Sequence, residues 1–325
     1  MTSAVPGSAA PRPAAGGRSL RGRALLAATR VLAALPNRVL VAAAESLGEV
    51  WYRRSPERAA QARANLRRVC EGLAGQGRGT TLARRAATDP EALELLVRRC
   101  FRHAVRYYVE VAQTGSIDPA GSLERIDVES PDEVRNGLRS GDPLVIVGMH
   151  FGALEMPISV VVHLSGRRMT SPMESVDDPA IRTWFETSRG RFGVDLIPLR
   201  NARHALLAAL RRGDSIGLVS DRDLTGTGIP IPLFGHPAPI SPAPAVFAIE
   251  VGARVYVASS RRLGGGRYTG KLTRVPVPEH GTRRERIVAV TTGIAQAYET
   301  VLAEAPEQWW GAMHPIWPDL VVGSE

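Results

Sequence analysis

The sequence predicts an α/β fold: a central, mostly parallel sheet layered by helices, preceded by a helical N-terminal part. Three observations predict it. From Asp142 onward, short apolar runs of strand length recur with helical stretches between them. Ahead of Asp142, the periodic segments have helical spacing. Toward the C-terminus, "RRERIVAVTTGIAQAYETVLAEA" reads as one long helix. Strands alternating with helices build layered sheets, because each parallel crossover needs a dozen or more residues.

Each element follows from its residues. Residues 1–22 are rich in Pro, Gly, Ala and Ser with no apolar block. They read as a disordered tail and not as a signal peptide, which needs a continuous hydrophobic segment. Next comes "ALLAATRVLAALPNRVLVAAAESLGEVWYRR", which Arg30, Pro36 and Arg38 break into pieces. Each piece falls short of the roughly 20 apolar residues that span a bilayer. A pair of amphipathic helices fits instead, either lying on a membrane or packing on the domain, and the two are compatible. "ERAAQARANLRRVC" and "EALELLVRRCFRHAVRYYVEVA" continue the helical pattern on either side of the Gly/Thr-rich "GLAGQGRGTT". "PLVIVGM" (143–149), "VDLIPL" (194–199), "SIGLVS" (215–220) and "RVYVASS" (254–260) then read as buried strands. Helices are expected over 177–191, 202–212 and 242–251, and "RYTGKLTRV" as a further, antiparallel strand. The expected organisation is a tail (1–22) and one domain (23–325). Within that domain, 23–115 is helical and membrane-facing, and 116–325 holds the α/β catalytic part.

The chain has 325 residues, of which 44% are hydrophobic and 22% charged, the profile of a globular protein able to bury a large core. Its base is almost all arginine, with Lys271 the sole lysine. Residues 1–110 hold 19 arginines against 8 acidic residues, while the whole chain is only +9. This asymmetry points the N-terminal third at an anionic surface: a membrane leaflet, nucleic acid or an acidic partner. Nucleic acid is disfavoured, since no zinc-finger spacing, aromatic RNA-binding motif or Gly-rich clamp occurs. Cys70 and Cys100 lack a C-x-x-C partner, which suits a reducing, cytoplasmic setting and argues against a thiolate metal site. The histidines other than His150 have no ligand spacing, so no metal is expected.

In α/β sheets, reacting groups gather beyond the carboxyl ends of the strands. Three expected strands end on polar residues: His150 after "PLVIVGM", Arg200 after "VDLIPL", and Asp221-Arg222-Asp223 after "SIGLVS". A neutral imidazole takes a proton from a hydroxyl near pH 7 if a carboxylate orients its ring. Glu155, five residues beyond His150, or Asp221 could be that carboxylate. Spacing alone also fits a solvated strand end.

The stretch "GMHFGALEMP" resembles the H-x4-D/E motif of the lysophospholipid acyltransferase superfamily, and other segments agree in order. "RANLRRV" and "FRHAVRYYVEV" resemble successive segments of the bacterial late lipid acyltransferases. "SDRDLTGTGIPIPLFGHPAPISPAPAVFAIEVGARVYV" resembles their D-R-D/G block, and "PEQWWGAMHPIWPD" their closing P-x-x-W/Y segment. The resemblance runs from about residue 25 to 320. It is closest to the lipid A lauroyl/myristoyl acyltransferases and, with this Arg/Ala composition, to the actinobacterial phosphatidylinositol mannoside acyltransferases.

The resemblance implies a glycerolipid acyltransferase-like fold and an enzyme at the cytoplasmic face of the cell membrane. It implies transfer of a fatty acyl group from acyl-CoA or acyl carrier protein to a glycolipid hydroxyl, with no cofactor and no acyl-enzyme. His150 would be the general base, with Asp221 or Glu155 orienting it. Glu174 would meet the acceptor, and Arg189, with Arg191 as near alternative, would line the site and bind phosphate. Arg222, beside Asp221, is a third substrate-binding candidate. The plainer readings are a turn carboxylate for Glu174, a helix-surface charge for Arg189 and a structural ion-pair arginine for Arg222. Backbone N–H groups near Gly148 or Gly152 are the expected oxyanion donors. Prolines in "SPAPAVF" replace a usual glycine and put the substrate in doubt. Trp309, Trp310 and Trp317 are either interfacial anchors or packing aromatics.

Three other activities fit less well. Acylation of a soluble or specialised-metabolite acceptor keeps the same base. Ester hydrolysis usually needs a G-x-S-x-G elbow, which the sequence lacks. A non-catalytic membrane-binding role would leave His150, Glu155 and Asp221 unexplained.

Overall fold

The computed structural model describes residues 35–114, 118–174, 176–200 and 202–323, together with positions 27, 29 and 31. The expected tail (1–22) and most of the first amphipathic segment lie outside the described residues.

Among the described residues from Leu35 on, four helices form the N-terminal part: α1 (Asn37–Arg54), α2 (Pro56–Gly75), α3 (Thr81–Ala86) and α4 (Pro90–Gln113). Their starts follow from sequence. Pro56 and Pro90 sit where a missing N–H costs nothing. Asp89 caps α4 by accepting from the amides of Glu91 and Ala92, at 2.9 and 3.3 Å. Helix α4 buries Leu93, Leu96, Val97, Cys100, Phe101 and Ala104, the three-and-four spacing of a single helical face. Cys70 and Cys100 are both buried free thiols.

The chain then alternates: α5 (Pro119–Leu123), β1 (Ile126–Glu129), α6 (Asp132–Arg139), β2 (Leu144–Gly148), α7 (Glu155–Ser165), β3 (Met169–Met173), α8 (Pro179–Gly190), β4 (Val194–Pro198), α9 (Ala202–Arg211) and β5 (Ser215–Val219). A hairpin of β6 (Ile229–Leu233) and β7 (His236–Ile240) follows, then α10 (Ala243–Val251), β8 (Arg254–Gly264), β9 (Arg267–Val275) and α11 (Arg283–Glu304). The central sheet has seven strands in the order β1-β9-β8-β2-β5-β3-β4. All neighbours are parallel except β8 and β9, the antiparallel pair expected from "RYTGKLTRV".

Alternation along the strands explains the layers. Val145, Val147, Val255 and Val257 face one core, shared with α2, α4, α10 and α11. Leu144, Ile146, Tyr256 and Ala258 face the other, under α6 and α7. Strands β1 and β3 and the β6–β7 hairpin were not expected. "MTSPM" carries a proline and two hydroxyl residues, and the hairpin is proline-rich, a texture that argues against strand. There Pro230 stands opposite Pro239 and Pro232 opposite Pro237, so prolines face prolines across the pair. Prolines 242 and 244, in the expected departure "SPAPAVF", lie at the cap and first turn of α10, where proline is tolerated.

Candidate active site

Strands β2, β5, β3 and β4 are parallel and consecutive across the sheet, so their carboxyl ends share one edge. That edge collects His150, Asp221, Glu174 and Arg200, each just beyond a strand. His150 and Asp221 follow adjacent strands, and the register pairing Gly148 with Val219 brings them together. The ring Nδ1 of His150 lies 2.7 Å from Asp221 Oδ1. The backbone N–H of His150 donates to Asp221 Oδ2 at 3.1 Å, and Trp309 Nε1 donates to the same oxygen at 2.9 Å. Beneath them, the Tyr298 hydroxyl donates to the Gly148 carbonyl at 3.0 Å and meets Ser220 Oγ at 2.8 Å, tying the two strand ends to α11.

Asp221 is only 3% exposed. Burial alone would push its carboxyl up. The His150 imidazole, with the hydrogen bonds from His150 and Trp309, outweighs burial and holds the carboxyl below its ordinary range. An ionised Asp221 beside Nδ1 calls for the Nδ1–H tautomer, which leaves Nε2 as the free ring acceptor.

Glu155 is elsewhere engaged. It opens α7, and its Oε1 accepts from Arg189 Nη2 on α8 at 2.6 Å. The guanidinium lies 5.5 Å from the Phe185 ring and its Nε is buried without a partner among the described residues. Burial works against the Arg189 charge, but Glu155 outweighs it and raises the pKa. Between the two pairs stands an aromatic wall: Trp310 meets His150 edge-on at 4.7 Å and stacks on Tyr107 at 4.3 Å. The structure thus separates the two carboxylates that sequence left open, Asp221 on the imidazole and Glu155 on an arginine.

The loop from His150 to α7 is clamped. Gly152 has φ +52°, and a Cβ there would lie 1.7 Å from the Ser260 carbonyl, so only glycine fits. Its N–H donates to the Gln308 carbonyl at 3.0 Å. That amide is therefore committed, and the expected oxyanion role of Gly152 is corrected. The Gly152 carbonyl accepts from Arg262 Nη2 at 2.8 Å. Arg262 in turn pairs with Glu110 of α4 at 2.8 and 2.7 Å.

Glu174 is exposed just past β3, beside a shallow groove that also involves Arg182, Glu186 and Ile197. Arg222 is half-buried, with no ion pair or hydrogen bond among the described residues, so the ion-pair reading of it does not hold. Its charge falls on His314, which lies close enough to feel His150 and Asp221 as well. Arg191 is exposed at the end of α8. No group of three or more His, Cys, Asp or Glu among the described residues is arranged to hold a metal.

Residues 23–317 match the family described as bacterial lipid A biosynthesis acyltransferase. The chain belongs to that family. It is an acyltransferase on that ground, and its matched span includes every site residue above. Among curated proteins, this acyltransferase is 25% identical over 226 residues to the phosphatidylinositol mannoside acyltransferase of Mycolicibacterium smegmatis, covering 68% of this chain and 72% of that protein. It is also 25% identical over 219 residues to the protein of the same name from Mycobacterium tuberculosis, covering 65% and 67%.

Sequence reasoning missed three contributors to this acyltransferase's site. Trp309 and Trp317 are almost wholly buried, so the interfacial-anchor reading is corrected in favour of packing, and Trp309 also holds Asp221. Arg262 and Gln308 clamp the His150 loop from elements more than a hundred residues away. Gln308 and Trp309 stand inside the closing segment "PEQWWGAMHPIWPD", which marks the stretch but not their partners, and no local signal marks Arg262.

Proposed function

We propose that this acyltransferase moves a fatty acyl group from a thioester to a hydroxyl of a membrane glycolipid such as a phosphatidylinositol mannoside, with His150 as general base. The observation that carries the reading is the contact between His150 Nδ1 and a buried, ionised Asp221, which leaves Nε2 able to accept a proton. In this mechanism Nε2 takes the proton of the acceptor hydroxyl as its oxygen attacks the thioester carbonyl. Asp221 stabilises the imidazolium. The tetrahedral intermediate then collapses, the carbon–sulfur bond breaks, and the imidazolium returns its proton to the departing thiolate. No acyl-enzyme and no cofactor is required; acyl-CoA or acyl carrier protein is the donor substrate.

The remaining residues take supporting roles. Glu155 already occupies one edge of Arg189, so this pair serves as a wall of the site, ordering the start of α7. Arg222 is the better phosphate ligand, because no carboxylate competes for it. Glu174 lies at the same sheet edge and suits contact with the polar head of an acceptor.

A membrane surface is the proposed setting, with the protein peripheral to the cytoplasmic face and bound through anionic lipids. Among the described residues, no helix is long and apolar enough to cross a membrane. Helix α1 nonetheless exposes Val39 (50%), Leu47 (58%) and Val50 (43%) within one arc, with Tyr108 of α4 at 55%. Arg38, Arg53 and Arg54 are exposed on the same helix. A soluble acceptor would leave that apolar arc without a use. The test is incubation with isotope-labelled palmitoyl-CoA and phosphatidylinositol mannoside, with products identified by mass spectrometry. The reading predicts an acylated glycolipid formed by the wild type and lost in His150→Ala. Equal labelling by both proteins would defeat it.

A further inference from the structure

We infer that Trp309 is a positioning residue of the His150–Asp221 pair, using its indole N–H to fix the carboxylate in the rotamer that faces the ring. The inference rests on the reading of His150 as general base. Asp221 has two oxygens with separate partners. Oδ1 faces the ring at 2.7 Å, while Oδ2 accepts both from the His150 backbone N–H at 3.1 Å and from Trp309 Nε1 at 2.9 Å. With Oδ2 held from two directions, rotation of the carboxylate would break both of those bonds. Oδ1 therefore stays on Nδ1.

The segment bearing Trp309 is built for this contact. Trp309 pairs with Phe151 in an isolated antiparallel bridge. The Gly152 N–H donates to the Gln308 carbonyl at 3.0 Å, and the Gly311 N–H donates to the His150 carbonyl at 3.1 Å. A Cβ on Gly311 would lie 2.5 Å from Asp221 Oδ2 and 2.8 Å from Trp309 Nε1, so glycine is what lets this turn close over the carboxylate. The neighbouring Trp317 supplies an internal contrast. Its ring meets that of Trp309 edge-on at 6.4 Å and is equally buried, yet its indole N–H has no partner among the described residues. Packing alone accounts for Trp317. It does not account for the aim of the Trp309 N–H.

The titratable and charged groups around the carboxylate are His150 from the β2 end, Tyr298 from α11, His314 from the turn beyond Gly311, and the adjacent Arg222. Trp309 is the uncharged side-chain donor, beside the His150 backbone N–H, among the groups that hold the ionised form of Asp221. Losing it makes the carboxylate a stronger base and a stronger acceptor from the imidazolium. Protonation of the pair then begins at higher pH.

The test compares Trp309→Phe with Trp317→Phe in the full chain, reading kcat, KM and the pH profile of kcat/KM. Trp309→Phe is expected to lower kcat about tenfold or more with KM little changed, the loss of one hydrogen bond to a charged group. It should also move the acid limb upward by roughly half to one pH unit. Trp317→Phe should lower the melting temperature but keep the wild-type kcat and acid limb. A wild-type profile in Trp309→Phe beside an inactive His150→Ala would overturn this inference alone. So would an equal shift in Trp317→Phe. Full activity of His150→Ala would remove the base reading and this inference with it. Should Trp309→Phe fail to fold, the wild type decides: the Trp309 indole ¹H–¹⁵N resonance should titrate with the acid limb while that of Trp317 stays flat. A flat Trp309 resonance would overturn the inference.

Discussion

Asp221 holds His150 at two points, the ring Nδ1 at 2.7 Å and the backbone N–H at 3.1 Å. The first contact fixes the tautomer and the second fixes the strand end that carries the ring. Both arise because β2 and β5 are adjacent parallel strands in register, so the residues two positions beyond each strand meet above the sheet. Glu155, despite its place in the H-x4-E stretch, serves Arg189 instead.

The Arg262–Glu110 pair links α4 to the His150 loop, and its loss should be costly. Arg262→Met would leave Glu110 part-buried with the Tyr268 hydroxyl, 3.1 Å away, as its remaining donor. With Glu110 part-buried and the Arg106 charge still acting on it, the loss should be on the order of 1–3 kcal/mol, read as a lower urea midpoint. Replacing both partners with methionine should recover most of that loss. A double variant no more stable than Arg262→Met would contradict this account of the pair.

His314 makes stability sensitive to mild acid. Burial, then the charges of Arg222 and Arg58, lower its pKa from 6.5 to about 4. The folded state thus binds its proton later than the unfolded chain does. Stability from this group is intact above pH 6.5, declines as pH falls toward 4, and drops no further below. The decline is on the order of 2 kcal/mol once partial solvent exposure is allowed for. His314→Gln should lose less between pH 7.5 and pH 4.5 in urea melts, with the similarly depressed His103 common to both proteins. Equal losses would rule out His314 as a source.

The proposed membrane surface predicts how binding to anionic vesicles responds to substitution. Leu47→Glu with Val50→Glu should weaken binding at least about tenfold, since both remove apolar area and add repulsion. Reversing Arg53 and Arg54 should weaken it at low salt and less so at high salt. Arg68→Glu belongs to a different class, because Arg68 is bound through two hydrogen bonds, 2.9 and 2.6 Å, to Asp319 and lies 5.2 Å from the Trp317 ring. It should alter stability more than binding. Vesicle sedimentation that is indifferent to the α1 substitutions would remove the docking face.

Much of the sheet was legible because buried parallel strands are continuous apolar runs, as in "LVIVG" and "RVYVASS". Strand β3 escaped because Thr170, Ser171 and Pro172 carry none of that signal; its strand character comes from pairing with β4 and β5. The site was legible to the level of single strand ends. His150 and Asp221 are each visible as polar residues closing apolar runs, but which carboxylate meets the ring depends on strand order, and order is not written in local sequence. The same holds for Trp309 and Arg262, whose partners lie 88 and 110 residues away in the chain.

The central claim is that Asp221, and not Glu155, completes the base. The most direct measurement is the steady-state transfer kinetics of Asp221→Asn and Glu155→Gln with acyl-CoA and glycolipid acceptor. An asparagine amide turned toward Nδ1 would favour the tautomer that puts a proton on Nε2. Asp221→Asn should therefore lower kcat by about 10²- to 10⁴-fold with KM near wild type. Glu155→Gln still accepts from Arg189, so it should change kcat less than about tenfold and act mainly through KM. Collapse of kcat in Glu155→Gln beside near-normal turnover in Asp221→Asn would contradict the account.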